Sequence, residues 1–212
     1  MLFRSERRFG VPIFEGYGQT EAAPVVSLNA PGQRKLGSVG KAVPGVEIAI
    51  WDDNKNPVPL DTVGEIMVRG DNVMQGYYNL PQDTANTITN GWLHTGDLGR
   101  RDADGFVTIT GRKKDLIISA GENIYPREIE EVLAQHPKVK ESAVIGVKDE
   151  VRGEVPKAFV IARDGETLDE KELRQFCRDN MAGYKVPKHF ALVPDLPRNP
   201  TGKVLKRMLP KE

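Results

Sequence analysis

The chain has 212 residues, 39% hydrophobic and 28% charged, with 30 basic side chains against 30 acidic ones. That length can bury a core in one or two domains, and a zero net charge argues against a non-specific nucleic-acid binder, which carries a positive footprint. One cysteine, Cys177, excludes an internal disulfide, and no apolar run approaches the roughly 18 residues of a membrane span, so a soluble, cytoplasmic protein is expected.

Met1 to Gly10 carries Arg4, Arg7 and Arg8 without an apolar centre and is no secretory signal. Val11-Pro-Ile-Phe14 predicts a buried strand that opens into the Gly-containing loop Glu15–Glu21. Loops at strand ends are common ligand sites, because their backbone is free to approach a ligand. From Pro31 to Arg112 the pattern predicts short strands at Val46–Trp51, Gly64–Gly70 and Gly105–Thr110, with turn chemistry at Asp52–Pro57 and Asp102–Gly105. Strands at such intervals point to a small β-barrel-like or sandwich subdomain.

Gly111 to Pro126 looks like a joint, since beyond it helices and strands alternate. Pro126 suits a first helical turn, with Ile129, Val132 and Leu133 on one stripe and His136-Pro137 as the stop. Val139–Val147 and Pro156–Ala162 hold apolar runs typical of buried strands. Thr167-Leu-Asp-Glu170 is a capping-box pattern ahead of Leu173, Phe176 and Cys177. Lys188–Val193 predicts a last strand and Lys203–Leu209 a terminal helical turn. The order βαββαβα describes a small α+β domain, so the fold class is α+β, a β-barrel-like subdomain followed by a compact α+β unit.

Four patterns could carry chemistry, and each alone has a plainer reading. In Tyr17-Gly18-Gln19-Thr20-Glu21, the threonine hydroxyl can bond a phosphate and the carboxylate can ligate Mg²⁺; alone the pentapeptide is a turn. In Trp92-Leu-His-Thr-Gly-Asp97 the aspartate could bind ribose hydroxyls, or the stretch is a hairpin turn. Arg112, Lys113 and Lys114 form either a solvated charge run or the rim of a cleft. Asn199-Pro-Thr-Gly-Lys203 fails as a nucleotide P-loop, with Pro197 where glycine is needed and Val204 where a hydroxyl is needed; what remains is a lysine behind a turn. His94, His136 and His189 lack metal-ligand spacing, no Gly-x-Ser-x-Gly elbow occurs, and Asp102–Gly105 has too few ligands for a calcium loop.

Together and in this order, the four patterns, with Gly-Arg-Lys-Lys-Asp-Leu-Ile for the third, resemble the adenylate-forming superfamily of acyl-CoA synthetases, adenylation domains and luciferases. The resemblance implies ATP-dependent carboxylate adenylation, then thioester formation with coenzyme A (CoA). It places Tyr17 on adenine, Gly18 in the nucleotide site, Thr20 on phosphate, Glu21 on Mg²⁺, and Asp97 and Arg112 on ribose. Lys114 falls at the hinge, Gly121 on the pantetheine path, and Lys203 at the lysine of the adenylation step. Gly-Tyr-Tyr-Asn79 and Gly-Glu-Asn-Ile-Tyr-Pro126 look most like medium- and long-chain fatty acyl-CoA ligases, while Ile118, where luciferases carry a second lysine, argues against light emission. With no carrier-protein segment after Leu209, a multi-module peptide synthetase is not expected.

The family's Ser/Thr/Gly-rich phosphate loop and acyl pocket, which precede the Tyr-Gly-x-Thr-Glu motif, are not in this chain. It resembles the C-terminal portion of such an enzyme: residues 1–112 the end of the large AMP-binding domain, and 113–212 its mobile C-terminal domain. The expectation is a chain inactive alone, with exposed apolar side chains near Val11–Phe14 and a possible N-terminal part as partner. The alternatives are a non-catalytic nucleotide- or CoA-binding module and an aryl or short-chain acid ligase.

Overall fold

The computed structural model describes residues 2–211. Helix α1 covers Leu2–Phe9, and the backbone then runs unpaired through Val11–Phe14. The strand expected there does not form, because side chains satisfy its backbone instead. The Ile13 N–H donates to Glu6 Oε1 at 2.8 Å, and Arg34, paired with Glu6, donates to the Ile13 carbonyl at 3.0 Å. Pro12 has no N–H to give a ladder. Val11 and Phe14 are exposed.

The chain separates into two compact units at Thr110–Gly111. In the first, β1 (Gly16–Gly18), β2 (Val25–Leu28) and β3 (Lys41–Ala42) form a three-stranded antiparallel sheet. Strands β4 (Val46–Trp51) and β5 (Gly64–Gly70), helix α2 (Pro81–Thr87), and strands β6 (Ile88–Thr89), β7 (Trp92–Arg101) and β8 (Val107–Arg112) follow. Their sheet runs β4-β5-β7-β6, with β8 also on β7. Mutual hydrogen bonds of Val39 and Gly40 with Val107 tie the two sheets together, giving a half-barrel curl. The period-two pattern of β4 buries Ile48 and Ile50 against Val26, Ile66, Val68 and Leu93, the core of this unit.

Early in the second unit comes the hairpin β9 (Ile117–Ser119) and β10 (Glu122–Ile124), within the stretch expected to be a joint. Helix α3 (Pro126–Leu133), strands β11 (Val139–Asp149) and β12 (Gly153–Ala162), helix α4 (Glu170–Asn180) and strand β13 (His189–Leu192) complete it. The sheet order is β10-β9-β12-β11, with β13 parallel to β12. The apolar runs of β11 and β12 are buried on both faces. Val144, Ala158 and Val160 pack with Ile129, Leu133, Leu173 and Cys177 from the helices; Ala143, Ile145, Phe159 and Ile161 pack with Leu196 and Leu209 of the C-terminal segment.

Helix α4 starts later than the capping-box pattern implies. Asp169 is its N-cap and accepts the Glu172 N–H at 2.8 Å, so Asp169 takes the place expected of Thr167. The predicted terminal turn is a 3-10 turn at Lys206–Met208, and Lys203 precedes it. No helix of the described residues is long and apolar enough to cross a membrane.

Candidate functional site

The Tyr17–Glu21 pentapeptide is half strand rather than all loop. Tyr17 and Gly18 end β1, and Thr20–Ala22 form one 3-10 turn. A side chain at Gly18 would put its Cβ 1.6 Å from the Pro24 carbonyl oxygen, so only glycine lets the returning chain pass this close. The Tyr17 hydroxyl donates to Asp97 Oδ2 at 2.7 Å, bringing together residues from two of the sequence patterns.

Asp97 is not on a hairpin turn. It lies inside β7, where the register against β5 slips between Met67↔His94 and Glu65↔Leu98. The irregularity is held from both sides. Thr95 Oγ1 donates to the Ile66 carbonyl at 2.7 Å and accepts the Asp97 N–H at 3.1 Å; the Gly96 N–H donates to Glu65 Oε1 at 3.1 Å. Asp97 and Glu65 are both buried. Glu65 was not singled out from the sequence, although a carboxylate directly before the apolar Ile66-Met67-Val68 run of β5 is a signal that could have found it.

Glu21 meets a second residue that the sequence reading missed. The Tyr77 hydroxyl donates to Glu21 Oε1 at 2.9 Å, while Glu21 Oε2 has no partner among the described residues. The Glu21 carboxylate, and then burial, push the Tyr77 phenol above its ordinary value. The same stretch clamps the backbone: the Met74 N–H donates to the Glu21 carbonyl at 2.8 Å, and Asn72 Nδ2 donates to the Ala22 and Val25 carbonyls at 2.8 and 3.2 Å. Thr20 is exposed beside it.

Of the remaining candidates, Arg112 ends β8 just past the division between the two units, and the others lie in the second unit. Arg112 is the N-cap residue of a 3-10 turn over Lys113–Asp115, with Lys114 exposed at its middle. Ala120 and Gly121 are the two turn residues of the β9–β10 hairpin, with φ of 51° and 85°. Two successive positive φ values are what a tight hairpin of this hand requires, and Gly121 meets the demand without strain. Lys203 is exposed in a loop after β13, and its amine has no partner among the described residues. Also among the described residues, no group of three or more His, Cys, Asp or Glu side chains is placed to hold a metal ion.

The chain matches known protein families along most of its length. The AMP-binding enzyme family model matches residues 2–78, and the AMP-binding enzyme C-terminal domain matches residues 128–203. The chain is similar to a 2-succinylbenzoate–CoA ligase of Geobacillus kaustophilus, at 46% identity over 99% of this chain and 44% of the relative. It is also similar to a long-chain-fatty-acid–CoA ligase of Bacillus subtilis, at 44% identity over 98% of this chain and 37% of the relative. A solved structure of the Bacillus subtilis o-succinylbenzoate CoA synthetase, in complex with its acyl-adenylate intermediate, superposes with a TM-score of 0.89 at 40% identity, over 97% of this chain and 42% of that one. The chain thus spans about two fifths of the length of the relatives it matches. Matched in order by both family models, it belongs to the AMP-binding, adenylate-forming enzyme family.

Proposed function

We propose that this chain is part of an ATP-dependent acid–CoA ligase of the fatty acyl type, residues 1–112 ending its large nucleotide-binding domain and 113–212 forming its mobile C-terminal domain. The observation that carries the reading is the Tyr17–Asp97 hydrogen bond, which unites the proposed adenine and ribose contacts on adjoining sheets. The long-chain-fatty-acid–CoA ligase relative supports a fatty acid as substrate.

On this reading a substrate carboxylate oxygen attacks the α-phosphorus of ATP, the bond to the β-phosphate oxygen breaks, and pyrophosphate leaves. The CoA thiolate then attacks the acyl carbon, and AMP leaves with the bonding electron pair. Tyr17 stacks on adenine, Gly18 lines the nucleotide site, and Asp97 and Arg112 hold the ribose. Thr20 donates to a phosphate oxygen. Glu21 Oε2 has no partner among the described residues and would hold Mg²⁺, a hard cation that favours carboxylate and phosphate oxygens and would offset phosphate charge. Lys203 sets a fixed positive charge where the carboxylate and α-phosphate crowd together. Lys114 is the pivot by which the C-terminal domain exchanges that lysine for the pantetheine path at Gly121.

The 212 residues alone are expected to lack ligase activity, since positioning of the acid and the pyrophosphate needs residues beyond this span. ATP–pyrophosphate exchange with a panel of carboxylic acids tests this, and robust exchange by the isolated chain overturns it. A second reading is a nucleotide- or CoA-binding module without catalysis, which the Tyr17–Asp97 pair would serve equally. Calorimetry with ATP, AMP and CoA, with and without an upstream polypeptide, separates the two: binding that never becomes exchange selects the module.

A further inference from the structure

Lys203 sits near the end of the loop Pro197–Leu205, whose stem is closed by the Arg198↔Val204 bridge and by the Leu205 N–H, which donates to the Pro197 carbonyl at 2.7 Å. One side chain organises the interior of this loop. Asn199 Oδ1 accepts the Thr201 N–H at 3.1 Å, the Thr201 hydroxyl at 2.8 Å and the Lys203 N–H at 2.8 Å. The Asn199 N–H donates to the Lys203 carbonyl at 2.9 Å, and the Asn199 carbonyl accepts the Gly202 N–H at 2.9 Å. Both backbone groups of Lys203 are therefore held by a single residue.

The stem is anchored in turn. Arg198 donates to the Gly202 carbonyl at 3.0 Å and pairs with Glu141 of β11. Lys206, just past the loop, pairs at 2.7 Å with Glu130 of α3, which also accepts the Val144 N–H of β11 at 2.7 Å. Against this rigid frame, the Lys203 amine has no partner among the described residues. A lysine serving structure pairs its ammonium; here the backbone is fixed and the charge is left available. That combination suits a group that must present charge at one place without reorganising when the reaction occurs.

We propose that Asn199 is a positioning residue for Lys203, setting the lysine backbone so that its ammonium reaches the adenylation transition state. The inference rests on the ligase reading above and deepens it. An oxygen acceptor at position 199 is the chemical requirement, so aspartate can replace asparagine and alanine cannot.

Two measurements test this. In the 212-residue chain, Asn199→Ala should raise amide hydrogen exchange at Thr201 and Lys203 by about tenfold or more while core amides stay protected, and Asn199→Asp should keep that protection. In a polypeptide containing this chain that performs ATP–pyrophosphate exchange, Asn199→Ala should slow exchange by about tenfold to a hundredfold, the size of effect that small misplacements produce. Thioester formation from supplied acyl-adenylate should continue at its normal rate, and Asn199→Asp should restore most of the exchange. Undiminished exchange in Asn199→Ala, or equal loss of both half-reactions, overturns the positioning role. Absence of exchange in the unsubstituted protein with every acid tried overturns the ligase reading and the lysine's task with it, while the amide data still decide whether Asn199 anchors the loop.

Discussion

The Tyr17 hydroxyl and Asp97 Oδ2 lie 2.7 Å apart, closing β1 onto the irregular middle of β7. Tyr17 also packs its ring against the first unit's core. Tyr17→Phe keeps that packing and removes the donor to a buried carboxylate. It should lower the stability of the first unit by about 1 kcal/mol, read from the shift in urea midpoint at constant slope. A midpoint unchanged from wild type would show that the bond adds nothing to the fold.

Tyr77 and Glu21 give a spectroscopic test. Because the Glu21 carboxylate accepts the phenol proton, Tyr77 should ionise later than its ordinary value, and Glu21→Gln should bring it back toward that value. Absorbance titration of the two proteins at alkaline pH measures the difference. The raised value stabilises the fold fully below the ordinary phenol range, and that contribution disappears as pH rises through the shifted value.

Glu130 is held above the ordinary carboxylate value by burial, with Lys206 opposing. Glu130→Ala should cost the second unit about 1–3 kcal/mol, because the Val144 N–H loses its acceptor, and Glu130→Gln should cost less. The sign with pH is distinctive. Burial favours the protonated acid, so the wild-type protein loses stability as pH rises from 4.5 through the shifted value, and Glu130→Gln gains on it over that window. Denaturant titrations of both proteins at several pH values provide the check.

Asp149 behaves in the opposite way. Lys188, then the Arg152 N–H, holds its carboxyl down at about 2, and the Val151 N–H adds to them. Its contribution is complete above 3.8 and disappears as pH falls toward 2, so Asp149→Asn should unfold at a higher pH on acidification. Circular dichroism followed through an acid titration compares the two midpoints.

Cys177 lies fully buried on the inner face of α4, and burial pushes its thiol up to about 11. A neutral, inaccessible thiol is a poor nucleophile. Thiol reagents at pH 8 should therefore modify it only as fast as the second unit opens, and rapidly in denaturant. Immediate modification of the folded chain would contradict this burial.

Much of the architecture was legible wherever one strong local pattern had no competitor. Strands β4 and β5 follow the alternation of Val46–Trp51 and the apolar run of Gly64–Gly70, and α3 follows Pro126 with Ile129 and Leu133. Failures came where particular side-chain hydrogen bonds, rather than periodicity, decided local structure. Glu6 and Arg34 occupy the backbone of Ile13 and so abolish a strand that its apolar neighbours suggest. Asp169 outcompetes Thr167 as cap because its carboxylate reaches the Glu172 N–H. For the site, motif residues could be named, but their supports could not. Tyr77 lies 56 positions from Glu21 and Glu65 lies 31 from Gly96, and no short-range periodicity links such pairs.

The stretch after β13 has a second employment besides carrying Lys203. Leu196 and Leu209 roof the sheet face formed by Ala143, Ile145, Phe159 and Ile161, a face that neither α3 nor α4 covers. A deletion designed to remove only Lys203 and its loop would strip the lid from a strip of apolar strand surface, and clumping of the protein would follow before any chemistry could be assayed. Solubility and the proposed task of Lys203 thus fall on the same short length of chain, and point substitution rather than truncation is the way to separate them.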